Sequence, residues 1–242
     1  MKKLRYTTRQ IIYTIYSFCF FIGLAIELTA IGFFLITLGG ATDENKRKYH
    51  HILQRRAHFV INHVPGTTFT YSNPLGETFE TPSVIICNHQ SHLDLMAAMM
   101  LTPRLVILTK KWVWHNPFYG IIIRYADFFP IGDTEDVLQN VTKMIGKGYS
   151  VMIFPEGTRS TDCHIQRFHR GAFYLAEKLH LDIIPVFIKG FGKVLPKQSY
   201  HLHQGHMSLE VLPRIHRSDP AWTCDYRDMT KRLHQIYVEK SQ

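Results

Sequence analysis

The hydropathy pattern divides the chain into two unequal parts. Residues 11–38 are apolar or small, with Glu27 the sole charge. As one straight helix those positions would span about 42 Å, against about 30 Å of bilayer hydrocarbon. Two arrangements fit: a single tilted span, or two shorter helices over about 11–25 and 28–39 that fold back near Glu27 and dip into one leaflet. A cleaved signal peptide fits less well, because the run is long for an h-region and no A-x-A site follows it. Residues 43–64 change character. Tyr49, Ile52, Leu53, Ala57, Val60 and Val64 recur at three- and four-residue intervals among charges, which predicts an amphipathic helix. Asp43 is placed to cap it, and Pro65-Gly66 to stop it.

From residue 66 onward, short β-branched runs alternate with helix-like periods. Strands are predicted over 84–87, 105–109, 149–154 and 183–188, with a less regular one over 207–212 near a sheet edge. Helices are predicted over 93–101, 137–146 and 172–179, with a last amphipathic one through Tyr226, Met229, Leu233, Ile236 and Tyr237. This order predicts an α/β fold with a largely parallel central sheet covered by helices. Chemistry is then expected at the carboxyl ends of the strands. The division expected is a membrane-attachment segment with its basic helix over 1–64, and a catalytic domain over 65–242. No internal repeat is visible.

Charge sharpens the picture. The chain of 242 residues carries a formal net charge of +9. Residues 1–60 hold nine bases (Lys2, Lys3, Arg5, Arg9, Lys46, Arg47, Lys48, Arg55, Arg56) against three acids (Glu27, Asp43, Glu44), so most of the excess flanks the apolar run. That layout fits an anionic lipid surface and excludes a nucleic-acid groove as the partner. The one apolar run excludes a polytopic membrane protein. The four cysteines (Cys19, Cys87, Cys163, Cys224) form no C-x-x-C pair, so reduced thiols in a cytosol-facing protein are expected.

Two segments at strand ends carry candidate chemistry. Asn88-His89-Gln90-Ser91-His92-Leu93-Asp94 follows the 84–87 strand. A strand-to-helix turn can bring His89 and Asp94 together, and a carboxylate on one imidazole nitrogen makes the other a general base for a hydroxyl. Phe154-Pro155-Glu156-Gly157-Thr158-Arg159-Ser160 follows the 149–154 strand. Pro155 and Gly157 force a tight turn, and Arg159 is a fork suited to phosphate. Other signals are discounted. His89, His92 and Asp94 lack the spacing of a binuclear metal centre, and His201, His203 and His206 lie in a polar stretch. Trp112, Trp114 and Phe118 are expected to pack or touch a lipid interface. Ser91 and Ser160 lack a G-x-S-x-G context.

Asn-His-x4-Asp followed roughly sixty residues later by Phe-Pro-Glu-Gly-Thr-Arg-Ser resembles the glycerolipid acyltransferase family, of the 1-acyl-glycerol-3-phosphate (lysophosphatidic acid) type. Lys110-Lys111, Asn116-Pro117-Phe118-Tyr119-Gly120, Arg167 to Ala172 and Ile184-Pro185-Val186 resemble its other segments in order. The resemblance implies a glycerol-3-phosphate acyltransferase-like fold at the cytoplasmic face of the inner membrane. It also implies a direct transfer: His89, oriented by Asp94, deprotonates an acceptor hydroxyl that attacks the thioester of acyl-CoA or acyl-carrier protein. No cofactor, metal or acyl-enzyme is implied. Glu156, Gly157, Thr158 and Arg159 would bind the lysolipid acceptor, with Lys110 or Lys111 helping on its phosphate. At one position the chain departs from the family. Asp133 stands where an acceptor-phosphate Arg is expected, and Arg124 is out of register. A non-phosphate lipid alcohol is therefore the alternative acceptor, and a thioesterase-like hydrolase the alternative reaction.

Overall fold

In the computed structural model, residues 7–117, 119–222 and 225–242 are described. Lys2, Lys3, Arg5, Phe118 and Cys224 lie outside them. The first helix opens on a capping box: the Thr7 hydroxyl accepts the Gln10 N–H, and the Gln10 side chain accepts the Thr7 N–H. This helix, α1, runs Thr8–Gly32 and continues as a π-helical segment, Phe33–Leu38. It does not fold back near Glu27. The Glu27 carboxylate is met by the Arg56 guanidinium from the next helix, so the charge does not interrupt the rod. The reversal comes at residues 39–42, where Gly40 adopts φ +89°. Helix α2, Asp43–Asn62, follows. Its cap is Thr42, whose hydroxyl accepts the Asn45 N–H, rather than Asp43.

Helix α1 has two faces. Ser17, Leu24, Leu28, Gly32 and Ile36 are buried, while Ile11, Ile15, Phe18, Ile22, Ile26 and Phe33 form an exposed apolar stripe. Both ends are held on the rest of the chain. Near the start, Thr14 Oγ1 accepts the Leu202 N–H at 3.0 Å; near the end, the Thr37 and Tyr125 hydroxyls are 3.0 Å apart. Three of the five bases of α2 have acidic partners within the chain: Lys46 with Asp127, Lys48 with Glu44 and Arg56 with Glu27. The apolar face of α2 (Tyr49, Leu53, Ala57, Val60) is buried in the same core as the sheet.

Among the described residues the sheet has seven strands: β1 Thr67–Ser72, β2 Val84–Cys87, β3 Leu105–Thr109, β4 Phe129–Pro130, β5 Ser150–Ile153, β6 Ile183–Lys189 and β7 Gly205–Val211. Their order is β1-β7-β6-β2-β5-β3-β4. From β6 to β4 all pairings are parallel, and only β6–β7 is antiparallel. Strands β2, β3 and β5 are buried throughout, as expected of parallel strands covered on both faces. The α/β expectation is met. The 205–211 strand lies one place in from the edge, because β1 pairs outside it.

Helices α3 (Leu93–Met99), α4 (Lys111–Trp114), α5 (Gly120–Tyr125), α6 (Thr134–Gly146), α7 (Gly171–Lys178), α8 (Phe191–Val194) and α9 (Tyr226–Ser241) complete the fold. Helix α9 is pinned to the middle of the sheet. The buried Tyr237 hydroxyl lies 2.8 Å from the Ile86 carbonyl and 3.0 Å from that of Val186.

Candidate active site

Strands β2 and β5 are neighbours and parallel, so the two motif-bearing loops leave the sheet side by side. Asn88 closes the end of β2. Its buried amide acts as an extra peptide: Nδ2 donates to the Ile188 carbonyl at 2.9 Å, and Oδ1 accepts the Ile188 N–H at 2.8 Å. His89 therefore leaves the sheet from a fixed point. Its backbone is gripped on both sides by the β5 loop. The His89 N–H donates to Glu156 Oε1 at 2.9 Å, and its carbonyl accepts the Ser160 N–H at 2.8 Å.

The imidazole is fixed as firmly. His89 Nδ1 lies 2.8 Å from Asp94 Oδ2, and the ring stacks on Phe154 with centroids 4.2 Å apart. Asp94 is fully buried in the first turn of α3. The same Oδ2 accepts the N–H groups of Gln90 (2.5 Å) and Ser91 (2.7 Å). Burial raises the Asp94 pKa, and the bonds from His89, Ser91 and Gln90 offset part of that rise. A carboxylate taking three donors accepts the Nδ1 proton, which leaves Nε2 with its lone pair. Nε2 has no hydrogen-bond partner among the described residues. The N–H groups of His89, Gln90 and Ser91 are all committed to carboxylates, so they are not free to stabilise an oxyanion.

The Phe154–Ser160 loop turns through Gly157, whose φ is +65°. A Cβ there would sit 3.2 Å from the His169 ring. Glu156 is 3% exposed, and its second oxygen accepts the Gln166 N–H at 3.1 Å. Burial pushes its pKa up to about 7, with the two backbone N–H groups working against the shift. Arg159 is half-buried. Burial lowers its pKa, and it stands within electrostatic reach of Asp94, Tyr119 and Tyr200. Thr158 Oγ1 accepts a bond from Lys197 at 3.1 Å, and the Arg159 carbonyl accepts another at 2.7 Å.

The remaining sequence candidates are farther out. Lys110 and Lys111 follow β3, are exposed, and leave the same edge two strands from β2, roughly 10 Å away at the usual strand spacing. Asp133 follows β4, three strands from β2 and roughly 14 Å away. It is exposed at the first position before α6, where a helix N-terminus favours its charge. Arg124 is committed elsewhere: it donates to the Trp114 carbonyl at 2.9 Å and covers the Trp114 ring. Among the described residues, no group of three His, Cys, Asp or Glu side chains is arranged to hold a metal ion.

Sequence reasoning missed Lys197, which lies 38 residues beyond the turn it touches in an unpatterned polar stretch. It also missed the stacking of Phe154 on His89, although Phe154 sat inside the motif.

Known proteins resemble the chain in sequence and in fold. The acyltransferase family model matches residues 44–189. A chloroplastic 1-acyl-sn-glycerol-3-phosphate acyltransferase of Brassica napus is 29% identical over 190 residues, covering 76% of this chain and 55% of its own. A chloroplastic enzyme of the same name from Arabidopsis thaliana is 28% identical over 196 residues, covering 76% and 53%. The chain thus spans about half the length of these plant relatives. The crystal structure of a 1-acyl-sn-glycerophosphate acyltransferase from Thermotoga maritima superposes with a TM-score of 0.75, covering 96% of this chain and 95% of that one at 18% identity. At that identity the likeness is one of fold.

Proposed function

Since the chain belongs to the acyltransferase family, we propose that it transfers a fatty acyl group from acyl-CoA or acyl-carrier protein to the hydroxyl of 1-acyl-glycerol-3-phosphate. The observation that carries this reading is the His89–Asp94 pair at 2.8 Å, with Nε2 unclaimed, beside the Arg159 turn. Nε2 takes the hydroxyl proton as the oxygen attacks the thioester carbonyl. Asp94 holds the imidazolium that forms. Collapse of the tetrahedral intermediate releases the thiolate, which regains the proton from His89.

Arg159 binds the acceptor phosphate with its planar fork. Thr158 and Gly157 shape the turn beneath it. Glu156, which the resemblance assigns to the acceptor, works as a positioning residue in this reading, because both carboxylate oxygens are taken by backbone N–H groups. The exposed Asp133 follows β4, two strands from the β5 loop that carries Arg159 and roughly 10 Å away at the usual strand spacing, about one Debye length, so its repulsion of a phosphate there is partly screened. The Arg159 fork, nearer to that phosphate, favours a phosphate-bearing acceptor over a neutral lipid alcohol.

The apolar helix α1 has the length and composition to cross a membrane. Its docking at both ends favours a different placement: α1 lies in the plane of the lipid surface, with the Ile15–Phe18–Ile22 stripe down and the site beside it. The cytoplasmic face is the side where acyl thioesters are made.

The test is the purified full chain on vesicles containing lysophosphatidic acid, supplied with each thioester. Phosphatidic acid and free thiol should appear together in equal amounts, and His89→Ala should lower both together by about 10²-fold or more. Thiol release that needs no acceptor would make the protein a hydrolase instead.

A further inference from the structure

The sheet edge that carries His89 holds two half-buried cations, and neither is matched by a carboxylate. Arg159 and Lys197 form no ion pair among the described residues, whereas the part-buried Lys46, Arg214 and Lys240 do. Lys197 Nζ donates to the Arg159 carbonyl and to Thr158 Oγ1. An ammonium has three donors. One N–H and the whole charge therefore remain unspent, directly on the turn that presents Arg159.

The stretch over residues 195–204 is held in place at several points. The Ser91 hydroxyl, next to the Asp94 loop, donates to the Leu195 carbonyl at 2.9 Å. The His203 N–H returns to the Val194 carbonyl at 2.8 Å. The Leu202 N–H is taken by Thr14 of α1. Tyr200, from the same stretch, is near enough to Arg159 to bear on its charge. The loop thus lies across the Arg159 turn, with one foot on the His89–Asp94 loop and the other on the lipid-facing helix.

We propose that Lys197 is a specificity-determining residue of the acceptor site: its free N–H and charge, together with the Arg159 fork, take the phosphate monoester of the lipid acceptor. This rests on the acceptor assigned above and deepens it. A phosphate monoester near neutral pH carries between one and two negative charges and three terminal oxygens. Arg159 satisfies two oxygens as a fork, and Lys197 adds a point charge for the third. The position where a second Arg is expected holds Asp133 instead, on the far side of the sheet edge. Lys197 supplies the second cation from a different part of the chain.

Lys197→Gln and Lys197→Arg in the full chain test this, with melting temperatures checked first. Lys197→Gln should raise KM for lysophosphatidic acid by about tenfold or more, the usual effect of losing a charged hydrogen bond, and raise KM for the acyl thioester far less. Lys197→Arg should restore most of the loss. An unchanged KM for lysophosphatidic acid would overturn the proposal. So would a fall confined to kcat that Arg does not repair, which is the signature of a brace for the turn. If the wild-type chain forms no phosphatidic acid, the assigned reaction fails, and glycerol 3-phosphate binding then decides the matter by calorimetry. Weaker binding to Lys197→Gln than to wild type sustains the Lys197 anion site, whereas equal binding, or none to wild type, overturns it.

Discussion

Arg159 and Arg214 stand at opposite ends of the same sheet and are treated in opposite ways. Arg214 follows β7 and is saturated. It grips both oxygens of Glu77 at 2.8 and 2.9 Å and reaches Asp182, just before β6, at 3.3 Å. Glu77 is held below the usual carboxylate range by that bond. Arg159, past the carboxyl end of β5, makes no ion pair among the described residues, and the acid within its own turn, Glu156, spends itself on two backbone N–H groups. One end neutralises its charges and so serves stability. The other leaves cations unspent, which costs stability and suits an incoming anion.

The largest expected effect that breaks this symmetry is on the chemistry. His89→Ala should lower acyl transfer by about 10²- to 10⁴-fold, the range of a lost general base, while the melting temperature holds. A variant that stayed active would remove His89 from the reaction.

Next comes pH. Glu156 has its folded pKa raised to about 7 from 4.5, so the folded state binds its proton more tightly than the unfolded state does. Its contribution is fully present below pH 4.5 and is lost as pH rises to about 7, a decline of about 3 kcal/mol. Glu77 has the opposite sign: its contribution is present above its ordinary pKa of 4.5 and is lost as pH falls. Urea titrations from about pH 2.5 to 8 should show the neutral limb flatten in Glu156→Gln and the acid limb, below about pH 4.5, flatten in Arg214→Met. If Glu156→Gln kept the wild-type slope between pH 5 and 7, the assignment would be wrong.

Arg214→Met itself should cost about 2 kcal/mol at pH 7, since it removes the two-pronged partner of the largely buried Glu77 and one of the partners of Asp182. Its kcat/KM should stay within about twofold of wild type. The smallest effect belongs to the Glu27–Arg56 pair, where both side chains are more than a third exposed. Arg56→Gln should cost less than about 1 kcal/mol, read as a small shift in the urea midpoint.

Much of this architecture was legible from residue order. The strands of the parallel core announce themselves as unbroken β-branched runs, because both their faces are covered. His89 and Asp94 were legible because a strand end and a helix start confine five residues. What escaped depends on partners remote in sequence. Thr67–Ser72 is polar in alternate positions and becomes a strand only because β7, about 140 residues later, offers an edge. Helix α1 passes Glu27 unbroken because Arg56 arrives 29 residues on. The Arg expected at position 133 was sought in register, whereas the second cation on the turn comes from Lys197, after β6.

The pinning of α1 at both ends has a kinetic consequence for the proposed reaction. A rod fastened to the domain at Thr14 and Thr37 cannot tilt without carrying the domain along. With α1 placed in the lipid surface as proposed, the protein would travel there as one raft, and acceptor and product would exchange by diffusion in two dimensions. Turnover would follow the mole fraction of lysolipid in the surface rather than its concentration in the volume. Diluting the vesicles with buffer would leave the rate per bound enzyme unchanged, and diluting the lysolipid with inert lipid would lower it.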